Sequence, residues 1–235
     1  MSLNSLRKLL NLKKVVQAEQ ISHNKTQQEV IFKEKVVSQA KVLNEKELRR
    51  VMLYCANHKH ALRNKSMLLM THLSGMRVGE VAAIKLGDVI AKDGAIKGDI
   101  YLTAAQTKGD RGRTVLFPKR LQELVEQYIK VRFKVVDISA VDAALFDRAL
   151  FPTQKSPKRG FTPNTLAQLF HYLYKRAGID GASSHSGRRS FITNLSELGV
   201  SVFVLKELAG HQSITTTQRY VTVNPAMMRN AVELI

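Results

Sequence analysis

The sequence predicts a mostly α domain carrying one small antiparallel β-sheet, an α+β fold, with a short helical arm in front of it. Three observations lead there. Capped runs with apolar residues at helical spacing fill most of residues 41–235. A stretch from Asp88 to Pro118 is broken by Gly94, Gly98, Gly109 and Gly112 into short β-prone runs. Residues 1–40 contain neither Gly nor Pro.

The arm carries seven Lys and Arg against three Glu, with helical spacing at Leu3, Leu6, Leu9 and Leu10 and again at Val30, Ile31, Val36 and Val37. One or two amphipathic helices are expected over 1–40, too short to bury a core of their own and so packed on the main domain or a partner. The domain of 41–235 opens at Asn44, an N-cap with Glu47 three positions on as its capping-box partner, before LRRVMLYC. Cys55 in that run reads as a core filler. A second helix runs roughly from Leu62 to Leu73 and stops at Gly75; a third starts near Arg77 and carries GEVAAIKL. DIYLTAA and RTVLF then pair as the sheet, with TKGDRGR as a basic hairpin tip. Helices return at KRLQELVEQYIKVRF and at TPNTLAQLFHYLYKRAG, where Pro163 suits the first turn and Gly178 the end. The loop PTQKSPKRG separates them. Four shorter helices close the chain: HSGRRSFITNLSELG, SVFVLKELAG, SITTTQRYV and, after Pro225, AMMRNAVELI.

Composition narrows the functional classes. With 44% apolar residues the 235-residue chain can bury a real core, and 37 Lys and Arg against 19 Asp and Glu leave a net charge of +18. Such an excess points to a polyanion, nucleic acid before an acidic membrane surface. No apolar run is long enough to span a bilayer, and the basic N-terminus lacks a signal-peptide pattern, so a cytoplasmic location at the nucleoid is expected. Cys55 is the only cysteine, which excludes an internal disulfide and a multi-cysteine zinc site.

Several separated segments hold reactive residue types. His185 and Arg188 stand one helical turn apart in SSHSGRRSF. With seven His and 16 Arg, chance supplies about 0.5 such pairs, so this spacing alone says little. His60 and Arg63 share it without reactive company and read as solvated helix surface. The second pair has company: Gly210-His211 ends one helix and Tyr220 follows nine positions later. Upstream, Arg77 stands at a turn-to-helix junction where backbone donors and a guanidinium converge on an anion. Glu80, a turn further on, reads as a partner holding that guanidinium, with a plain surface acid as the competing reading. Lys108 sits on the hairpin tip. There is no HExxH, no DxDxDG loop and no GxxxxGK[ST] run, so neither a metal nor any other cofactor is expected.

The order Arg77, Lys108, His185-x-x-Arg188, Gly210-His211, Tyr220 resembles the tyrosine recombinase family of phage integrase and Xer-like enzymes, over about residues 41–235. The resemblance implies that family's catalytic-domain fold and a DNA strand transferase that cleaves and rejoins double-stranded DNA through a phosphotyrosyl link on Tyr220. Displacement at a phosphodiester needs an in-line nucleophile, neutralised non-bridging oxygens and a proton for the departing oxygen. On the resemblance, Arg77 and Arg188 clamp those oxygens, His211 donates to one, His185 takes the phenolic proton and Lys108 protonates the leaving 5′-oxygen. It further implies a homo-tetramer on synapsed DNA with exchange of the C-terminal helix, and room for accessory DNA-bending proteins. Arg111 and Arg113 on the hairpin, Arg189 beside Arg188, and Lys155, Lys158 and Arg159 in the loop are assigned to DNA contact; for the loop residues a solvated charge is the competing reading. Many relatives have His where Arg189 stands. Two other functions share these features, a catalytically silent DNA-binding regulator and a type IB topoisomerase-like relaxing enzyme.

Overall fold

Asn44 accepts a hydrogen bond from Glu47 N–H at 2.9 Å, and the Glu47 carboxylate accepts from Asn44 N–H at 3.1 Å. This reciprocal pair starts α1 (Glu45–Ala56). The computed structural model describes residues 39–107, 111–154, 156, 159–221, 223 and 225–233. The arm expected over 1–40 therefore lies almost wholly outside the described residues, as do Lys108, Lys155, Lys158, Leu234 and Ile235. The chain divides between Gln39 and Ala40 into two units, and every helix and strand of the described residues belongs to the second.

After α1 come α2 (Ala61–Leu73), α3 (Val78–Ala83) and α4 (Leu86–Val89). Strands β1 (Asp99–Leu102) and β2 (Arg113–Leu116) pair antiparallel, with Ile100 opposite Val115 and Leu102 opposite Arg113. Next are α5 (Lys119–Phe133), α6 (Pro163–Arg176), α7 (Ser186–Glu197), α8 (Val202–Ala209), α9 (Ile214–Gln218) and α10 (Pro225–Val232). The mostly α fold with one two-stranded antiparallel sheet is the predicted class. Among the described residues no helix is long and apolar enough to cross a membrane.

Local chemistry accounts for most boundaries. Thr162 caps α6 with Pro163 at its first position, and Gly178 follows its end at φ +67°. In α5 the buried residues Leu121, Val125, Tyr128 and Ile129 form one stripe. One predicted helix is shorter than its pattern. α9 stops at Gln218, and Tyr220 lies in the following turn with its N–H bonded to Thr217 O at 2.9 Å. Four consecutive β-branched residues, Ile214 to Thr217, propagate a helix poorly.

α2 is the axis of the unit, packed by α1, α3, α5 and α7, and is buried nearly all round. That corrects one expectation. His60 is exposed as expected, but Arg63 is buried, its Nη1 donating to Pro152 O at 3.1 Å and its guanidinium lying 5.3 Å from the Phe161 ring centre. A central helix has no solvated face to offer, so Arg63 bonds within the protein instead.

α7 lies close against α2 because Gly187 has no side chain. A Cβ there would meet Thr71 Oγ1 at 2.0 Å and Thr71 Cβ at 2.8 Å. Gly187→Ala should therefore force the two helices apart and lower stability by about 2–3 kcal/mol. Urea unfolding checks this, and an unchanged midpoint would contradict the packing argument.

Candidate active site

The end of α8 organises the site. A helix leaves its last carbonyls without internal partners and concentrates negative potential there. In this chain three consecutive carbonyls at that end each receive an arginine. Arg113 Nη1 donates to Leu208 O at 3.0 Å, Arg188 Nη2 to Ala209 O, and Arg77 Nη2 to Gly210 O at 3.0 Å. Arg188 Nη1 also donates to Gly75 O at 2.6 Å. Gly210 ends the helix at φ +60°, and a Cβ on it would come within 2.5 Å of Arg113 Cδ. Both backbone conformation and space require glycine here.

Two of the arginines share a buried carboxylate. Glu80, 1% exposed, accepts from Arg77 N–H at 2.7 Å and Arg77 Nη1 at 2.9 Å, and from Arg113 Nε at 3.1 Å and Nη2 at 2.8 Å. Burial alone would push the Glu80 carboxyl up; the hydrogen bond and charge of Arg113, then those of Arg77, outweigh it and hold it below its usual value. Arg188 is 7% exposed and bonds to no carboxylate among the described residues. Burial, then Arg77 and Arg113, bring its pKa down to about 9, so it is still a cation at neutral pH. Three guanidinium groups around one carboxylate leave an excess of two positive charges. Such an excess attracts an anion.

His211 follows Gly210 directly and is 8% exposed. Its Nδ1 lies 2.8 Å from Thr217 Oγ1, and its ring stacks on Tyr220 with centres 5.9 Å apart and planes at 24°. Burial first, then Arg188, Arg77 and Arg113, push its pKa down to about 4, leaving it neutral at pH 7. Tyr220 is half-buried, and the Arg189 guanidinium carbon lies 6.0 Å from its ring centre. Arg77, Arg113, Gly210 and His211 open onto a groove of about 960 Å³ that also includes Arg111, Lys206, Gln212 and Ser213.

Two buried imidazoles make the fold acid-sensitive. His72, whose Nε2 lies 3.1 Å from Tyr174 Oη, is also pushed down to about 4, by burial. Between pH 6.5 and 4 the unfolded chain binds protons that the native state refuses, so stability is full above about 6.5 and falls as the pH drops toward 4. Each histidine contributes a loss of about 3 kcal/mol over that window. Urea unfolding at pH 7 and pH 4.5 measures the fall, and His72→Gln should remove about half of it. Equal midpoints at the two pH values would rule out neutral buried histidines.

Residues 41–227 match the Phage integrase family. The chain belongs to the phage integrase family. Within it, the chain is similar to tyrosine recombinase XerA of Pyrococcus furiosus, 26% identical over 82% of this chain and 61% of that protein. It is also similar to tyrosine recombinase XerD of Neisseria meningitidis serogroup B, 29% identical over 74% of this chain and 55% of that protein. The chain thus spans about three fifths of the length of the first of these curated relatives. Among solved structures, that of XerA recombinase superposes with a TM-score of 0.61 at 23% identity, covering 83% of this chain and 64% of that one. XerH site-specific recombinase bound to palindromic difH substrate gives 0.60 at 22%, covering 81% and 51%. These likenesses show the fold, that of a tyrosine recombinase catalytic domain.

In this phage integrase domain the structure brings together Arg77, Glu80, Arg188, His211 and Tyr220. His185 stands at the N-cap of α7, a turn before Arg188, with an exposed ring that makes no hydrogen bond to the cluster. Lys108, Lys155 and Lys158 lie outside the described residues. Arg111 is exposed on the groove; Arg159 is exposed beside a separate cavity of about 540 Å³ near the start of α6.

Two residues assigned to DNA contact are engaged within the protein. Arg113 is turned inward, 11% exposed, with Nε and both Nη groups bonded to Glu80 and Leu208 O. It sits opposite Leu102 on the buried face of the hairpin, two residues from buried Val115. That strand parity was the available signal. Arg189 is likewise directed at its own chain, donating to Ala40 O at 2.9 Å and lying over Tyr220. Lys206 on the groove wall carried no signal apart from its charge.

Proposed function

We propose that this chain is the catalytic part of a site-specific DNA recombinase that cuts and rejoins double-stranded DNA through Tyr220. The observation that carries the reading is the cluster itself: three arginines around one carboxylate, with a neutral imidazole and a phenol stacked beside them. A scissile phosphodiester supplies both a balancing anion and the electrophile.

Arg77 and Arg188 neutralise the non-bridging oxygens through donors left over from their bonds to the α8 carbonyls. With the Thr217 hydroxyl donating to His211 Nδ1, Nε2 carries the ring proton and donates to the phosphate. Tyr220 Oη attacks phosphorus, the new O–P bond forms, and the P–O5′ bond breaks. His185 receives the phenolic proton and Lys108 gives one to the departing oxygen. A phenol of pKa about 10 leaves more readily than an alkoxide, so a free 5′-hydroxyl reverses the step without ATP.

Exchange between duplexes needs four such cuts, which suits a homo-tetramer on synapsed DNA at the nucleoid, with accessory DNA-bending proteins where the site demands them. Met228 and Val232 on α10 are exposed, as are Leu198 after α7 and Phe203 and Val204 on α8. Apolar faces of this kind support docking of α10 on a neighbouring protomer.

The test starts from duplexes of randomised sequence. After incubation with the chain, denaturation traps covalent adducts, the captured DNA is sequenced, and the nucleotide-bearing peptide is mapped. An adduct on Tyr220 from a shared sequence supports the proposal. No adduct from any duplex, or one on another residue, overturns it.

A further inference from the structure

The reaction as proposed gives Arg113 no task, although it is tied into the site more fully than any residue assigned one. We infer that Arg113 is a positioning residue that fixes Glu80, and through it Arg77, against the end of α8. The inference rests on the strand-transfer reading above for its catalytic consequence, and on geometry alone for its structural one.

Each Glu80 oxygen is held from two sides. Oε1 accepts from Arg77 Nη1 and Arg113 Nε; Oε2 accepts from the Arg77 N–H and Arg113 Nη2. The carboxylate cannot rotate without breaking bonds to both arginines. The third nitrogen of Arg113 reaches Leu208 O, two residues before the carbonyl that takes Arg77. One planar group therefore ties β2, α3 and the end of α8 together, and Arg77 bonds to the last two of these. The helix end is shaped around it, since any Cβ on Gly210 would overlap Arg113 Cδ. Lysine at 113 would keep the charge yet could not meet both carboxylate oxygens and Leu208 O at once.

The experiment compares the full chain with Arg113→Lys, Glu80→Gln and the double variant, using the duplex recovered by covalent trapping. At saturating DNA, Arg113→Lys should slow single-turnover cleavage by about 10²-fold, as a small misplacement of a clamping group does. Half-saturation by DNA should stay within about twofold, because a guanidinium 11% exposed and engaged at all three nitrogens adds little to phosphate contact. The double variant should be no slower than the worse single one, since both break one unit. Wild-type cleavage in Arg113→Lys, or effects of the two positions that multiply, would overturn the inference; a loss confined to affinity would return Arg113 to DNA contact.

A second measurement needs no DNA and decides the matter even if trapping yields no adduct, which would count against the strand-transfer reading alone. In ¹⁵N-labelled protein, rotation of the Arg77 guanidinium should be slow in the wild-type chain and fast in Arg113→Lys, with the folded fraction checked by circular dichroism. Slow Arg77 rotation in both proteins would sink the positioning role.

Discussion

Tyr220→Phe should abolish covalent attachment to DNA completely while leaving the protein as stable and as strongly DNA-bound as the unaltered chain. Phenylalanine keeps the ring that stacks on His211 at 5.9 Å and lies under Arg189 at 6.0 Å. Only the oxygen is lost, and it makes no hydrogen bond among the described residues, so no buried partner is stranded. A change of this kind moves stability by less than about 0.5 kcal/mol. The Lys and Arg proposed to meet phosphates are untouched, so the slope of log affinity against log salt should not change. Chemistry depends on the missing atom alone. Trapping, urea unfolding and a salt titration on one preparation separate the three quantities. Residual adduct formation in the variant would mean that another nucleophile acts.

Arg188→Met should lower the cleavage rate by about 10²–10³-fold, the usual cost of removing one preorganised donor from a developing oxyanion. Its effect on the DNA-free fold should be small, and the magnitudes say why. Holding this cation under burial beside Arg77 and Arg113 lowers its pKa well below the usual arginine value, to about 9, a cost of about 5 kcal/mol. Against that stand two hydrogen bonds from a charged donor, to Gly75 O and Ala209 O, at about 1.5–3 kcal/mol each. The terms nearly cancel, so unfolding free energy should move by less than about 2 kcal/mol in either direction. Single-turnover cleavage and urea unfolding test the two halves. If stability collapses with activity, Arg188 is a structural strut; if cleavage survives, it is no clamp. The expected separation is that of a group whose unfavourable placement is tolerated because an arriving phosphate relieves it.

Arg188 also shows where sequence and tertiary structure divide. Its place one turn after His185 is a matter of helical periodicity and is visible in HSGRR. That its guanidinium spans Gly75 O and Ala209 O is not visible, because those carbonyls lie 113 and 21 positions away. Arg113 is harder still. Its sequence context, a basic hairpin, argues for solvent, and only pairing with Leu102 over a buried face turns it toward Glu80. The burial of Arg63 is hidden for a related reason, since a helical pattern does not say how many sides of the helix will be covered.

What the sequence determined by itself was local or ordinal. Asn44 with Glu47, Pro163 and Gly178 mark helix ends because caps act within a few residues, and the order of Arg77, His185, Arg188, His211 and Tyr220 marks a family because order survives without coordinates. Tertiary structure alone decided how charges are shared: three arginines from β2, α7 and the start of α3 meet three successive carbonyls of one helix end. A helix terminus is a local feature, but which distant donors satisfy it depends on packing, and packing is settled only when the whole chain has folded.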